Sequence, residues 1–120
     1  MTCRKKPQQR GCIDMDYSQL SDQEINMLVA KIQHPDKNFI ESKTRPPSVV
    51  LLSHINNWVD YCNNPADAWP IIEANGIGLR KQSNALWCAT RIGGEYPKYD
   101  KNPLRAAMIV FLQMQDANNV

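Results

Sequence analysis

Glycine is scarce in this 120-residue chain, with only 5 residues. Gly76-x-Gly78 and Gly93-Gly94 are isolated turn signals, so no Gly-rich loop cradles a phosphate. Histidine is scarcer still, at 2, which excludes a His-Glu-x-x-His metalloprotease helix, and no Gly-x-Ser-x-Gly elbow is present. No motif requires a cofactor. The four cysteines, Cys3, Cys12, Cys62 and Cys88, form no Cys-x-x-Cys pair. Only His34 and His54 could join them, without the ligand spacing of known zinc sites, so no metal is expected. Four free thiols in a reducing cytosol is the expectation, with Cys88 facing a core. No apolar run nears the roughly 20 residues that span a bilayer. The longest, Ala106 to Leu112, reads as a core helix segment. Met1 to Asp14 is basic but has no apolar stretch of the secretory kind, so a cytosolic location without membrane attachment is expected.

Charge is distributed unevenly. Residues 1–14 carry Arg4, Lys5, Lys6 and Arg10 against Asp14 alone, whereas residues 15–120 hold 10 basic and 11 acidic residues. A near-neutral body with a short basic tail makes a weak nucleic-acid binder, because such binding rests on neutralising several phosphates.

One phrase occurs twice. Asn64-Pro65-Ala66-Asp67-Ala68-Trp69-Pro70-Ile71-Ile72 is echoed by Asn102-Pro103-Leu104-Arg105-Ala106-Ala107-Met108-Ile109-Val110. Each is a helix start: Asn accepts a hydrogen bond from an orphan backbone N–H, and Pro fits the first helical position because its missing N–H had no partner there. The first helix should run from Pro65 to about Ala74, close on Asn75-Gly76, and kink or loosen at Pro70. The second should run from Pro103 to about Asp116, with Leu104, Met108, Phe111, Leu112 and Gln115 as its core stripe, and lie centrally. An earlier helix begins with the capping box Ser21-Asp22-Gln23-Glu24 and ends before Pro35, burying Ile25, Leu28, Val29 and Ile32. Residues 36–48 read as a loop and Val49 to Ile55 as a strand, with Trp58, Val59, Tyr61 and Cys62 extending it beyond a turn at Asn56-Asn57. Ile77 to Lys81 and Ala85 to Ile92 read as a hairpin joined through Gln82-Ser83-Asn84, and Gly93-Gly94 opens another loop. In the second hairpin strand Leu86, Cys88 and Thr90 share one face, and Trp87, Ala89 and Arg91 the other. The sum is a small α+β domain over 15–120, an antiparallel sheet against about three helices, with 1–14 a disordered basic extension.

Few residues point to chemistry. His54 could serve as a base and Asp60, Asp67 or Glu73 as an acid, but no spacing ties them together; His54 reads as a strand-end residue and His34 as a helix terminus. Asp67 and Arg105 hold the same third position of the two echoed helices. Asp67 complements the positive helix end, and Arg105 opposes it. Arg105 is therefore either solvated, met by an internal carboxylate such as Asp67 or Asp100, or met by an external anion, to which Asn102, Lys101, Lys98 and Arg91 could contribute. Trp58, Trp69 and Trp87 are core packing or a stacking surface. Tyr96 and Tyr99, alternating with Pro97 and Lys98, fit a contact surface.

Asp60-Tyr61-Cys62-Asn63 running into the first echoed block, together with Asn102 to Leu112, closely resembles the NinX-like family of lambdoid phages. Met15-Asp16-Tyr17-Ser18-Gln19-Leu20-Ser21-Asp22-Gln23-Glu24-Ile25-Asn26 fits the start of that family, with Met15 as its usual initiator. The resemblance covers most of 15–116 and is weakest over 36–57 and 80–101. It implies a phage or prophage accessory protein in a bacterial host cytoplasm, and it carries over no catalytic residue. The expectation is a binder, not an enzyme, serving phage–host conflict. Its partner would be a small anionic ligand such as a nucleotide signal, held by Asn102, Arg105, Arg91, Lys98, Trp69 and Trp87. The alternative is an inhibitor of a host protein acting through Trp58, Tyr61, Tyr96 and Tyr99. A homodimer is compatible with either.

Overall fold

Local capping fixes where the helices start. A computed structural model describes residues 16–37, 39–41, 49–82, 85–94 and 97–118. A 3-10 turn, Tyr17–Gln19, leads into α1, Asp22–Gln33. Both halves of the capping box form: Ser21 Oγ accepts from Glu24 N at 3.1 Å, and Ser21 N donates to Glu24 Oε1 at 2.8 Å. His34 is the C-cap. α2, Pro65–Asn75, starts with Asn64 Oδ1 accepting from Ala66 N at 3.0 Å. It runs through Pro70, whose missing N–H would have met the carbonyl of solvent-exposed Ala66, so water can satisfy that group. Gly76, at φ 64°, closes it in a left-handed turn, with Ile77 N donating to Ile72 O at 3.1 Å. α3 spans Pro103–Asn118.

Two three-stranded antiparallel sheets, rather than one sheet, fill the intervals. β1 (Phe39–Glu41), β2 (Val50–Leu52) and β3 (Asn57–Val59) form the first, in sequence order. β4 (Gly78–Lys81), β5 (Trp87–Thr90) and β6 (Lys98–Asp100) form the second. The stretch expected as one strand from Val49 is thus a hairpin, turning at Ser53 to Asn56. β1 and β6 fall where loops were expected. Each has three residues, too few for a period, and each is held by the backbone ladder to its neighbour, with Ile40 in register with Leu51 and Tyr99 with Cys88. The expected disordered extension, residues 1–14, lies outside the described residues.

α3 organises the interior, packing against α1, α2 and all three strands of the second sheet. Ala106 to Leu112 is buried without interruption, which explains a run apolar on every face rather than a single stripe. Gln115, placed in that stripe by spacing, is only half-buried, and Met114 is buried in addition. At α1, Ile25 and Val29 are fully buried, and so is the polar Asn26. Its amide is satisfied on both sides: Nδ2 donates to Asp60 Oδ1 at 2.8 Å, and Oδ1 accepts from Cys62 N at 3.1 Å. Buried Tyr17 donates its hydroxyl to Asp116, joining the first turn to the end of α3. No helix among the described residues is long and apolar enough to cross a membrane.

Candidate functional site

The start of α3 was the expected anion site, and its geometry speaks against that role. Asn102 Oδ1 accepts from Leu104 N at 2.9 Å and Arg105 N at 3.4 Å, and Asn102 O accepts from Ala106 N at 3.0 Å. Pro103 has no N–H. The four N–H positions that could meet an anion are therefore occupied or absent. Asn102 Nδ2 is used as well, donating to Cys62 O at 2.6 Å and Asn63 Oδ1 at 3.0 Å. Arg105 turns inward, with its side chain 13 % exposed. Its Nε donates to Asp100 Oδ2 at 3.1 Å and its Nη1 to Asp22 Oδ1 at 2.7 Å. Its Nη2 donates to the carbonyls of Ser18, at 3.1 Å, and Leu20, at 2.7 Å. Two carboxylates neutralise the guanidinium, so the internal partner explains its place beside a positive helix end. Asp100 was anticipated; Asp22, 83 positions away, was not. Asp67, the other anticipated partner, instead accepts from Asp60 N at 2.9 Å.

The remaining expected ligands do not converge there. Trp87 lies in the row Lys81–Trp87–Asp100, with the Lys81 ammonium 5.6 Å above its ring. Lys98 pairs with Ala89, a core residue, in a row that also holds the half-buried Leu79. Arg91 follows β5 and is half-buried, and Trp69 is exposed on α2. Of the aromatic residues expected to meet a partner, Tyr61 is a core residue, 4 % exposed. Burial, reinforced by the Asp67 charge, pushes its hydroxyl up to about 12. Trp58 is half-buried in β3, Tyr99 is exposed, and Tyr96 lies outside the described residues.

Concavity occurs instead on the outer side of the second sheet. Register places Arg80, Cys88 and Tyr99 in one row and Gly78 beside Thr90 in the next. These residues, with Leu79, Gly94 and Pro97, line a half-open cavity of about 410 Å³. Cys88, expected to face a core, is buried, but it lines the cavity and is not part of the main core cluster, to which Ala89 belongs. Gly78 and Gly94 present no side chains to the cavity. Arg80 and Tyr99 bring a cation and an exposed ring to opposite neighbours of Cys88. Nothing in the local sequence announced this site, because it forms only when β4 and β6 pair with β5.

Of the candidate acids and bases, Asp60 accepts from Asn26 and Asn63 and serves the α1–α2 junction. His54 lies in the β2–β3 turn with its Nε2 3.3 Å from Nδ1 of His34. Burial first, and then the nearby His54, hold His34 below the usual histidine value. The Cys62 thiol is pushed far up, chiefly by burial and then by the Asp22 charge, which disfavours the thiolate. Among the described residues, no group of three or more His, Cys, Asp or Glu side chains could hold a metal ion.

A family model described as bacteriophage P22 NinX matches residues 16–115. The chain belongs to the bacteriophage P22 NinX family. The match includes both echoed Asn-Pro blocks and the whole Arg105 clasp, from Ser18 to the start of α3. It also spans the cavity on the second sheet. NinX membership makes this a phage accessory protein. No curated protein and no solved structure matches the chain.

Proposed function

We propose that this NinX-family protein acts by non-catalytic binding in the cytoplasm of the phage's host, in phage–host conflict, and that it holds a small anionic ligand with a planar group. A nucleotide-type signal has that chemistry, and sequestering one would counter a host defence. The observation that carries the reading is the cavity on the outer face of the second sheet, with Arg80 and Tyr99 flanking Cys88. Its volume falls in the range of small-molecule sites, about 300–1,000 Å³. A guanidinium suits bidentate capture of a phosphate, and an exposed tyrosine ring stacks a base for about 1–3 kcal/mol. The Thr90 hydroxyl supplies a further polar contact. Arg105, committed to Asp22 and Asp100, supports the fold in this reading and leaves the anion to Arg80.

The test is a thermal-stability panel of mononucleotides, cyclic nucleotides and dinucleotides on the full chain. A ligand that binds only the folded state must raise Tm. Arg80 is exposed, so Arg80→Ala should leave the unliganded Tm nearly unchanged while erasing the ligand's shift. A flat panel, or a shift that survives both Arg80→Ala and Tyr99→Ala, overturns the reading.

A second reading, inhibition of a host protein, draws support from exposed apolar groups. Trp69 is 55 % exposed and Ile92 73 %. Exposed aromatic residues anchor protein interfaces well. That reading requires a host protein to be retained by the wild-type chain and lost with Trp69→Ala.

A further inference from the structure

The two histidines, 20 positions apart in the chain, meet in space. His34 caps α1, and His54 sits in the turn between β2 and β3. His54 Nε2 lies 3.3 Å from His34 Nδ1, with ring centroids 4.9 Å apart and planes tilted by 58°. A hydrogen bond between neutral imidazoles accounts for that distance. So does a second chemistry. Two nitrogens bound to one tetrahedral zinc, each at about 2.0–2.1 Å, stand roughly 3.3–3.4 Å apart. The nitrogens therefore already have the separation that chelation requires, and only their lone pairs need redirecting. Each must swing by roughly 35° from the line joining the nitrogens to a shared point beside it, as the tetrahedral angle dictates. His54 is exposed on a turn and can make that adjustment; His34 is half-buried and holds its position.

We propose that His34 Nδ1 and His54 Nε2 form a bidentate site for a first-row divalent transition metal such as zinc. Imidazole nitrogen is a ligand suited to zinc, nickel and copper and poorly suited to magnesium or calcium. The site supplies two protein ligands, and water completes the tetrahedron. Its consequence is mechanical: the metal fastens the C-terminus of α1 to the first sheet's hairpin, replacing the direct contact between the two rings. Binding to the folded chain alone raises its stability, because the unfolded chain does not hold the two rings together.

The experiment uses the full chain, which contains only these two histidines, so imidazole NMR signals carry no overlap from others. Zinc chloride is titrated while the ring resonances and Tm are followed. Both rings should shift together and saturate at one zinc per chain. Tm should rise by roughly 10 °C at a hundredfold excess over Kd, and excess chelator should reverse it. His54→Ala removes an exposed turn side chain, so its metal-free Tm should stay near that of the wild type while the zinc response disappears. Rings that do not respond, rings that saturate separately, or a Tm rise that persists in His54→Ala overturns the proposal. Zinc captured by cysteines would give the first of these results.

Discussion

Arg105→Ala removes the side chain that fastens the start of the domain to α3 and β6. Arg105 makes two charge-assisted bonds to carboxylates and two bonds to carbonyls of the segment before α1. Fully exposed ion pairs contribute about 0–1 kcal/mol, whereas breaking a buried pair costs about 3–5 kcal/mol. This clasp lies between those limits: Arg105 is 13 % exposed, and its partners Asp22 and Asp100 are 34 % and 22 % exposed. Screening through the exposed carboxylates brings the expected cost to about 2–3 kcal/mol. In a domain of this size that lowers Tm by roughly 10 °C. Urea unfolding is the assay, and its midpoint should fall while its slope stays constant. Arg105→Lys should recover at most about half the loss, since one ammonium cannot span both carboxylates and both carbonyls. A double-mutant cycle with Asp22→Asn should give a coupling of about 1 kcal/mol or more. A loss below about 0.5 kcal/mol for Arg105→Ala would refute the clasp, because that is the behaviour of an ordinary surface position.

Asn26→Ala should cost about 1–3 kcal/mol in the same assay, by taking the side-chain acceptor from the backbone N–H of buried Cys62 and one donor from the half-buried Asp60 carboxylate. Gly76→Ala should cost about 1–2 kcal/mol because φ there is 64°. The added Cβ would also meet the Ile92 side chain, but Ile92 is exposed and can turn away, so Ile92→Ala should restore little. Tyr61 should ionise near 12 rather than 10 in a spectrophotometric titration. Its raised value means that the folded state resists ionisation, so its contribution to stability is whole below pH 10 and is lost between 10 and about 12; Tyr61→Phe should flatten that alkaline loss.

Features encoded within one stretch of chain were legible in the sequence. The capping box, both Asn-Pro helix starts and the Asn75-Gly76 stop each depend on residues within one turn, and each forms as read. The central place of α3 followed from a run too apolar to show a polar face. What escaped notice depends on distant residues. Phe39-Ile40-Glu41 and Lys98-Tyr99-Asp100 become strands only beside β2 and β5, so neither carries a period of its own. Asp22 became the partner of Arg105 across 83 positions, and Asn26 found Asp60 across 34. Its polarity, set among apolar neighbours on α1, was the one available hint. The site moved for the same reason. Tyr99 reads as contact surface in the sequence and Arg80 as an ordinary strand residue, and only the pairing of three strands brings them to either side of Cys88.

Amide chemical-shift mapping of the full chain against the nucleotide panel tests the central claim most directly. The account predicts saturable shifts at Gly78 to Arg80, Cys88 to Thr90, Gly94 and Tyr99, with the amides of Asn102 to Ala106 unmoved. Shifts centred on Asn102 and Arg105, or none at any ligand concentration, would contradict it.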